Sequence, residues 1–182
     1  MESPGKEHTL KDGALLLIRS LDEADAPVML DYLSTVFGET CNLSRYPDEI
    51  HMTEEEEGGI IRGIKDSPKG IILGAFAKGE LVSAANIVPI RSLDRYRHRG
   101  GFGISVKRSY CGRGIASLMM ETVLGCARRA GLEQVKLEVL EDNRAAVSLY
   151  RKYGFKEYGR RVRGIKTRDG SYRGELFMAL FL

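Results

Sequence analysis

The chain has 182 residues, of which 43% are hydrophobic and 29% charged, and its formal net charge is +3. This length and composition are typical of one compact globular domain and exclude a disordered or fibrous chain. The sequence has no apolar stretch of membrane-spanning length and no apolar signal segment, and its three cysteines and three histidines give no metal-ligand spacing. We therefore expect a cytoplasmic protein with no metal site and no membrane contact.

Apolar patterning and capping signals predict seven strands and four helices. Residues 1–12 are polar and are expected to form a flexible arm ahead of a single domain, residues 13–182. In chain order, the first half of that domain is expected to contain a strand at 14–19, a helix at 20–37, a weaker helix after Thr53 and a two-stranded hairpin that turns at Lys78-Gly79. The second half is expected to contain a strand at 102–106, a helix at 114–130 and a strand at 134–140. A short helix from Asn143 to Gly154 and strands at 155–163 and 175–182 follow. This order predicts a mixed α/β domain with one sheet and a central β-α-β crossover.

Capping boxes locate the first two helices. Ser20 with Glu23 predicts the start of the first helix, so Pro27 must fall within its first turn. Thr53 with Glu56 predicts the start of the second helix, and the segment between the two helices is expected to be a loop.

Charge is distributed unevenly along the chain. Between Asp22 and Glu57 there are eleven acidic residues and one base, Arg45, whereas from Arg151 to Gly174 nine bases outnumber two acids. Two solvated faces account for this asymmetry, and the alternative is that the two regions attract two oppositely charged partners.

A glycine-rich loop separates the strand that ends at Val106 from the long helix. The first turn of a helix has N–H groups without partners, so the segment 111–116 (CGRGIA) is a candidate anion site in which Arg113 adds charge. The P-loop pattern is absent, and Ser117 stands where a dinucleotide fingerprint has its third glycine. An ordinary loop-to-helix turn is the alternative.

A second motif, N-x-x-A-x-x-x-Y-x-x-x-G-F, runs from Asn143 to Phe155. At about 100° per residue, Asn143 and Tyr150 lie within about 20° of one helical face, so one ligand can contact both. The alternative for Tyr150 is a core tyrosine that packs the helix on the sheet.

The strand at 103–106, the loop at 111–116 and the run at 143–155 together resemble the GNAT superfamily of acetyl-CoA-dependent N-acetyltransferases. The resemblance covers residues 102–155. It implies a GNAT-like α/β fold, in which about four helices flank a mixed sheet of about seven strands with a splayed pair of parallel strands. One departure is Cys111, because the family's loop usually begins with Gln or Arg.

The resemblance also implies a role for each motif. The backbone of Ile104 and Val106 would bind the pantetheine arm of acetyl-CoA, and the Val106 N–H would stabilise the oxyanion that forms when an amine attacks the thioester. The pyrophosphate would be held by the amides of Cys111, Gly112, Arg113, Gly114, Ile115 and Ala116. Asn143 would bond the pantetheine arm, and Tyr150 would be the general acid at the sulfur.

The general base and the acceptor stay open at this point. Glu138, His98 and a chain of water molecules are candidates for the base, and a Cys111 thiol of lowered pKa is an alternative reactive group. In the family, the first two helices and their loop often line the acceptor side. Because the acidic excess falls there, we hypothesise a small-molecule or peptide amine acceptor of cationic character.

Three alternatives to an acetyltransferase with a cationic acceptor stay open. The acids at the second helix can simply favour a helix N-terminus. The basic segment can serve a nucleic-acid or ribosome-binding module, although an N-acetyltransferase is not expected to bind nucleic acid. The fold can also bind acetyl-CoA without turnover. The residues do not decide whether the chain forms a homodimer, which is common in the family.

Overall fold

A computed structural model describes residues 4–91 and 93–182 of the chain. Within these residues there are eight strands and four α-helices. The strands are β1 (Lys6–Thr9), β2 (Leu15–Ser20), β3 (Ile71–Ala77), β4 (Glu80–Pro89), β5 (Arg99–Val106), β6 (Gln134–Leu140), β7 (Lys156–Lys166) and β8 (Tyr172–Phe181). The helices are α1 (Ala26–Glu39), α2 (Glu54–Asp66), α3 (Ile115–Arg129) and α4 (Arg144–Lys152).

All eight strands lie in one sheet, in the order β1-β2-β3-β4-β5-β6-β8-β7. Neighbouring strands are antiparallel except β5 and β6, which are parallel and are connected by α3. The predicted mixed α/β domain with a β-α-β crossover is therefore confirmed. None of the described helices is long and apolar enough to span a membrane.

Two hydrophobic cores hold the helices on opposite faces of the sheet. Met119 and Val123 of α3 pack on one face together with side chains of α4 and with Leu137 of β6. Met29 of α1 and Ile61 of α2 pack on the other face. Because both faces of the central strands are covered, β3 and β4 are buried along most of their length, which accounts for their apolar sequence runs.

The first helical segment begins later than predicted, because Asp22 rather than Ser20 caps it, and α1 itself has no side-chain cap. Asp22 and Asp25 form the capping box that starts a short 3-10 turn, and α1 continues from that turn. Ser20, which we expected to be the cap, lies at the end of β2. Pro27 falls within the first turn of α1, as predicted.

Three other local predictions are confirmed. Thr53 and Glu56 form the expected capping box at the start of α2. The hairpin between β3 and β4 turns at Lys78 and Gly79, whose φ angles of 52° and 82° are those of a type I′ turn. Gly154 follows α4 with a φ of 88°, a value that suits the residue after a helix C-terminus.

A strand lies within the segment where we expected only a flexible arm. Residues 6–9 form β1 and pair with β2, and Leu10 beside them is 4% exposed in the core. β1 is the edge strand of the sheet, and edge strands commonly carry charged side chains. The polar sequence K-E-H-T therefore has no apolar pattern that predicts a strand. With β1 the sheet has eight strands, whereas seven were expected.

Candidate active site

The parallel strands separate along their length. Pairing between β5 and β6 extends from Arg99 opposite Gln134 to Gly101 opposite Lys136. No further pair joins them among the described residues, although β5 continues to Val106. We call the space beyond the last pair the gap. The gap corresponds to the splayed pair that the family resemblance implies.

A cavity of about 330 Å³ lies where the gap begins. It is lined by Asn86 of β4, by residues 101–103 of β5, and by Lys136 and Glu138 of β6. Two of the three β5 residues are glycine, so the floor of the cavity has little side-chain volume.

Alternate backbone groups of β5 face the gap. The Lys107 N–H donates to the Val82 carbonyl of β4 at 2.9 Å. Since successive N–H groups of a strand point to opposite sides, those of Ile104 and Val106 point away from β4 and into the gap. These two residues thus present unpaired strand backbone where the sequence analysis expects an extended ligand.

The loop after β5 exposes a run of backbone amides. Gly112 and Gly114 have φ angles of 78° and 87°, which L side chains rarely adopt. The helix α3 then starts at Ile115 without a side-chain cap. The Cys111 N–H, which the resemblance also assigned to the pyrophosphate, instead donates to the Arg108 carbonyl at 3.2 Å. None of the N–H groups from Gly112 to Ala116 donates a hydrogen bond to a described residue. Unpaired amides at the positive end of a helix are suited to bind an anion.

Arg113 lies at the rim of this loop. Its guanidinium group is 3.3 Å from the Asp12 carboxylate and packs over the Tyr110 ring. Both charged groups are partly exposed, and such surface pairs contribute little free energy. An anion bound at the loop can therefore replace Asp12 as the partner of Arg113.

The Cys111 thiol does not have the lowered pKa that a reactive cysteine needs. Its Sγ lies 3.6 Å from the Lys107 carbonyl oxygen and 3.9 Å from that of Val106. Desolvation and the nearby Glu39 carboxylate raise the thiol pKa, against the opposite effect of Arg108. The thiol is thus protonated at neutral pH, and the structure gives no support to the reactive-thiol alternative.

Tyr150 is buried beside the start of the gap. Its ring is 7% exposed and packs edge-on against Phe102, with a centroid distance of 6.1 Å, and against Phe155 at 5.8 Å. This is the packing that the core-tyrosine alternative describes. The hydroxyl nevertheless forms no hydrogen bond with a described residue, and burial raises its pKa to about 12. Because Phe102 lines the cavity, Tyr150 lies next to the gap.

Asn143 is the N-cap of α4. Its side-chain oxygen accepts a hydrogen bond from the Ala146 N–H at 3.3 Å, so one role of this residue is to start the helix. Its amide group still has two N–H donors, which suit the carbonyl oxygens of a pantetheine arm. Within the described part of the chain, no hydrogen bond joins Asn143 to Tyr150, two helical turns away.

The candidate bases lie at different levels of the gap. His98 precedes β5, and the eight residues from it to Val106 span about 26 Å of extended strand. Glu138 and Gly103 both line the cavity, and each lies two residues beyond the last pair of its strand. Among the described residues, the Glu138 carboxylate forms an ion pair with Arg161 at 3.9 Å, and Arg161 is closer to Glu175 at 2.7 Å. Glu138 is therefore better placed than His98 to take a proton at the gap.

Most of the acidic excess is bound within the chain itself. Seven of the eleven carboxylates accept a hydrogen bond or form an ion pair with a described residue, and they are Asp22, Glu23, Asp25, Glu39, Asp48, Glu49 and Glu56. A further acidic residue of this segment, Glu57, is buried and only 3% exposed to solvent. These contacts favour the capping and ion-pair explanation of the excess over attraction of a cationic acceptor.

The basic segment is similarly engaged. Five of its nine bases lie within 4.0 Å of a carboxylate, namely Arg151, Arg160, Arg161, Arg168 and Arg173. Paired bases offer less charge to a phosphate backbone, so this surface gives little support to a nucleic-acid-binding module.

Tyr32 holds a buried polar cluster beside β5 that the sequence analysis missed. Its hydroxyl lies 2.8 Å from the Ser105 hydroxyl and accepts from the Ala84 N–H at 3.2 Å, while Ser83 donates to the Ser105 carbonyl at 2.7 Å. Burial raises the pKa of Tyr32, so it remains a neutral phenol. The available signal was the polar Ser83 within the apolar run of β4.

Replacing Tyr32 with phenylalanine tests the structural value of this cluster. We expect Tyr32→Phe to lower the free energy of unfolding by about 1–3 kcal/mol, because the Ser105 hydroxyl and the Ala84 N–H lose a partner in a buried site. Urea denaturation measures the change. An unchanged midpoint would mean that water replaces the hydroxyl there.

Arg173 is a second residue that the sequence analysis missed. It donates to the Asp142 carboxylate and, across the chain, to the Cys41 carbonyl at 2.6 Å and the Asn42 side chain at 2.7 Å. Arg173 thus attaches the loop between α1 and α2 to the end of β6. No local sequence pattern marks such a bridge.

The gap between β5 and β6 and the unpaired amides at the start of α3 define a protein that can hold an extended anionic ligand between two separating strands.

Comparisons with known proteins identify the family of this chain. Residues 30–155 match the model of the acetyltransferase (GNAT) family. The L-amino acid N-acetyltransferase AaaT of Escherichia coli (strain K12) is 30% identical over 141 residues, which cover 76% of this chain and 82% of that protein. The chain therefore belongs to the GNAT acetyltransferase family, and the identification made from the sequence motifs is confirmed.

Solved structures share the fold. An acetyltransferase of the GNAT family from Streptococcus pneumoniae is 31% identical with a TM-score of 0.88, covering 92% of this chain and 99% of that one. The putative acetyltransferase yncA from Salmonella typhimurium, whose structure contains its cofactor acetyl-CoA, is 18% identical with a TM-score of 0.81, covering 92% and 94%.

Proposed function

We propose that this protein is an N-acetyltransferase that transfers the acetyl group of acetyl-CoA to a primary amine by direct attack. The observation that carries the proposal is the run of unpaired amides from Gly112 to Ala116 at the start of α3, next to the gap. The amides suit a pyrophosphate, and the gap suits an extended arm. Family membership and the acetyl-CoA in the yncA neighbour support the choice of co-substrate.

Binding measurements with two acetyl donors test this proposal. Acetyl-CoA at about 100 times its Kd is expected to add about 2.7 kcal/mol to the free energy of unfolding. Acetyl-pantetheine carries the same thioester and arm without the pyrophosphate, so it is expected to stabilise far less at equal concentration. Thermal denaturation with each donor, followed by mass spectrometry for an acetylated amine, gives the answer. Equal stabilisation by both donors would contradict pyrophosphate binding at the loop.

The order of groups along the gap sets the position of the thioester. The loop lies beyond the Val106 end of β5, whereas Tyr150 packs on Phe102 and Glu138 lines the same cavity as Gly103. An arm that starts at the loop passes Val106 first and brings the thioester towards Ile104. We therefore assign the oxyanion to the Ile104 N–H and the arm to Val106, a change from the expectation that Val106 serves the oxyanion.

Three groups then act on the reacting atoms. Glu138 takes the proton that the ammonium group of the acceptor must lose, either directly or through one intervening water molecule. The amine forms a bond to the thioester carbon, and the Ile104 N–H stabilises the oxygen that becomes negative. The carbon–sulfur bond breaks, and Tyr150 donates a hydrogen bond and then its proton to the departing sulfur. The acylated nitrogen loses its second proton, which restores the Tyr150 hydroxyl, and Glu138 releases the first proton to solvent. The products are an acetylated amine, free CoA and one proton.

A further inference from the structure

The cavity at the start of the gap has polar side chains that nothing in the chain uses. The Lys136 ammonium group and the Asn86 carboxamide form no hydrogen bond or ion pair with a described residue. Both line the cavity, from β6 on one side and from β4 on the other. By contrast, two nearby arginines are paired, Arg161 with Glu175 and Arg173 with Asp142.

The sheet geometry places these groups on the acceptor side. Val135 and Leu137 of β6 face the core that contains α3, so Lys136 and Glu138 between and beside them face the side covered by α1 and α2. The two are separated by two strand residues, about 7 Å. Their charged atoms are more than 4.0 Å apart, since no ion pair joins them among the described residues. An ammonium group without a partner among the described residues therefore lies near a carboxylate whose ion pair with Arg161, at 3.9 Å, is long.

Space for that ligand exists because β5 has glycines here. A Cβ on Gly103 would lie 3.0 Å from the Asn86 side-chain oxygen, and a Cβ on Gly101 would project into the cavity. Larger residues at either position would fill the space between Asn86 and Lys136. The glycines thus leave a small polar cavity directly before the position assigned to the thioester.

We infer that Lys136 and Asn86 are specificity-determining residues that bind the carboxylate of an α-amino acid acceptor, while Glu138 faces its amine. An α-amino acid carries the two groups one carbon atom apart, with charges opposite to those of Lys136 and Glu138. A cationic polyamine would instead bring a second positive charge against Lys136, which disfavours it. This inference rests on the proposed function. The L-amino acid specificity in the name of the AaaT relative agrees with it.

Paired acceptors and a charge series at Lys136 test the inference. Each L-amino acid is compared with its own amide, which keeps the amine and side chain and lacks the negative charge. The wild type is expected to prefer the acid by at least tenfold in kcat/KM. Lys136→Gln is expected to lose most of that preference through a higher KM for the acid, with kcat for the amide unchanged. Lys136→Glu is expected to reverse the preference. Asn86→Ala should raise KM for the acid by about threefold.

The control is Lys156→Gln, which removes the same charge from an exposed lysine of β7 outside the cavity and should leave the preference as it is. An equal rate for acids and amides in the wild type, or an unchanged preference in Lys136→Glu, overturns the inference. Turnover of either acceptor keeps the proposed function in place in that case. Absence of acetyl-CoA binding and of any turnover would instead count against the proposed function itself. Rapid acetylation of polyamines alone would return the acceptor to the cationic class.

Discussion

Tyr150→Phe is expected to lower kcat about 100-fold while leaving the affinity for acetyl-CoA within twofold of the wild type. The substitution keeps the ring that packs on Phe102 and Phe155 and removes only the hydroxyl, which has no hydrogen-bond partner among the described residues. The free energy of unfolding should therefore be unchanged in this variant. The departing sulfur loses its donor, and proton donation in a transition state typically contributes 10²–10⁴-fold.

The pKa of Tyr150 limits how the hydroxyl acts. Burial disfavours the phenolate and raises the pKa to about 12, so the proton stays in place at every pH below about 11. A thiol comparable to cysteine has a pKa of about 8.5, and full transfer from Tyr150 to the thiolate is therefore uphill by about 5 kcal/mol. Tyr150 acts first as a hydrogen-bond donor. Accordingly, kcat of the wild type should not fall between pH 8 and 10 through loss of this proton.

Tyr153→Phe is the matched control for Tyr150→Phe. Tyr153 directly follows α4, and its hydroxyl lies 3.0 Å from the Ser117 carbonyl oxygen and 2.9 Å from the Glu121 carboxylate, both on α3. This variant should lose about 1 kcal/mol of stability and keep its kcat. Thiol release and urea denaturation measure both quantities. A Tyr150→Phe protein with the kcat of the wild type would leave Tyr150 with a packing role only.

Local signals explain why much of the site could be predicted from the sequence. The loop at 111–116 and α3 are adjacent in the chain, so glycines before an apolar helical pattern were enough to predict free amides. The Thr53 capping box and the Lys78-Gly79 turn are likewise complete within four residues. Features that depend only on residues close in sequence can therefore be predicted from local backbone preferences.

The cavity could not be predicted, because it depends on strand register. Asn86 and Lys136 belong to strands on either side of β5, and a shift of one residue would turn either side chain to the opposite face. The bridge from Arg173 to Cys41 joins residues far apart in sequence and has no local signature. β1 was missed for a different reason, since its charged residues resemble a loop while they protect a sheet edge.

Glu138→Gln is expected to lower kcat/KM at pH 7 by about 100-fold, because the acceptor amine must lose a proton before it attacks. The amide keeps the size of the side chain. It gives up only a weak contact with Arg161 at 3.9 Å in an exposed pair, so stability should change by less than about 0.5 kcal/mol. The binding of acetyl-CoA should be unaffected, since Glu138 faces the acceptor.

The pH dependence separates a base from a residue that only binds the acceptor. With an amino-acid amide as the acceptor, the α-amino group has a pKa near 8 and is mostly charged at pH 7 and mostly neutral at pH 10, so the need for a base falls as pH rises. The ratio of wild-type to Glu138→Gln kcat/KM should therefore shrink towards one at pH 10. A ratio that stays constant would indicate acceptor binding alone, and full activity at pH 7 would assign the proton to water. Glu157→Gln, an exposed acid of β7 outside the cavity, should match the wild type throughout.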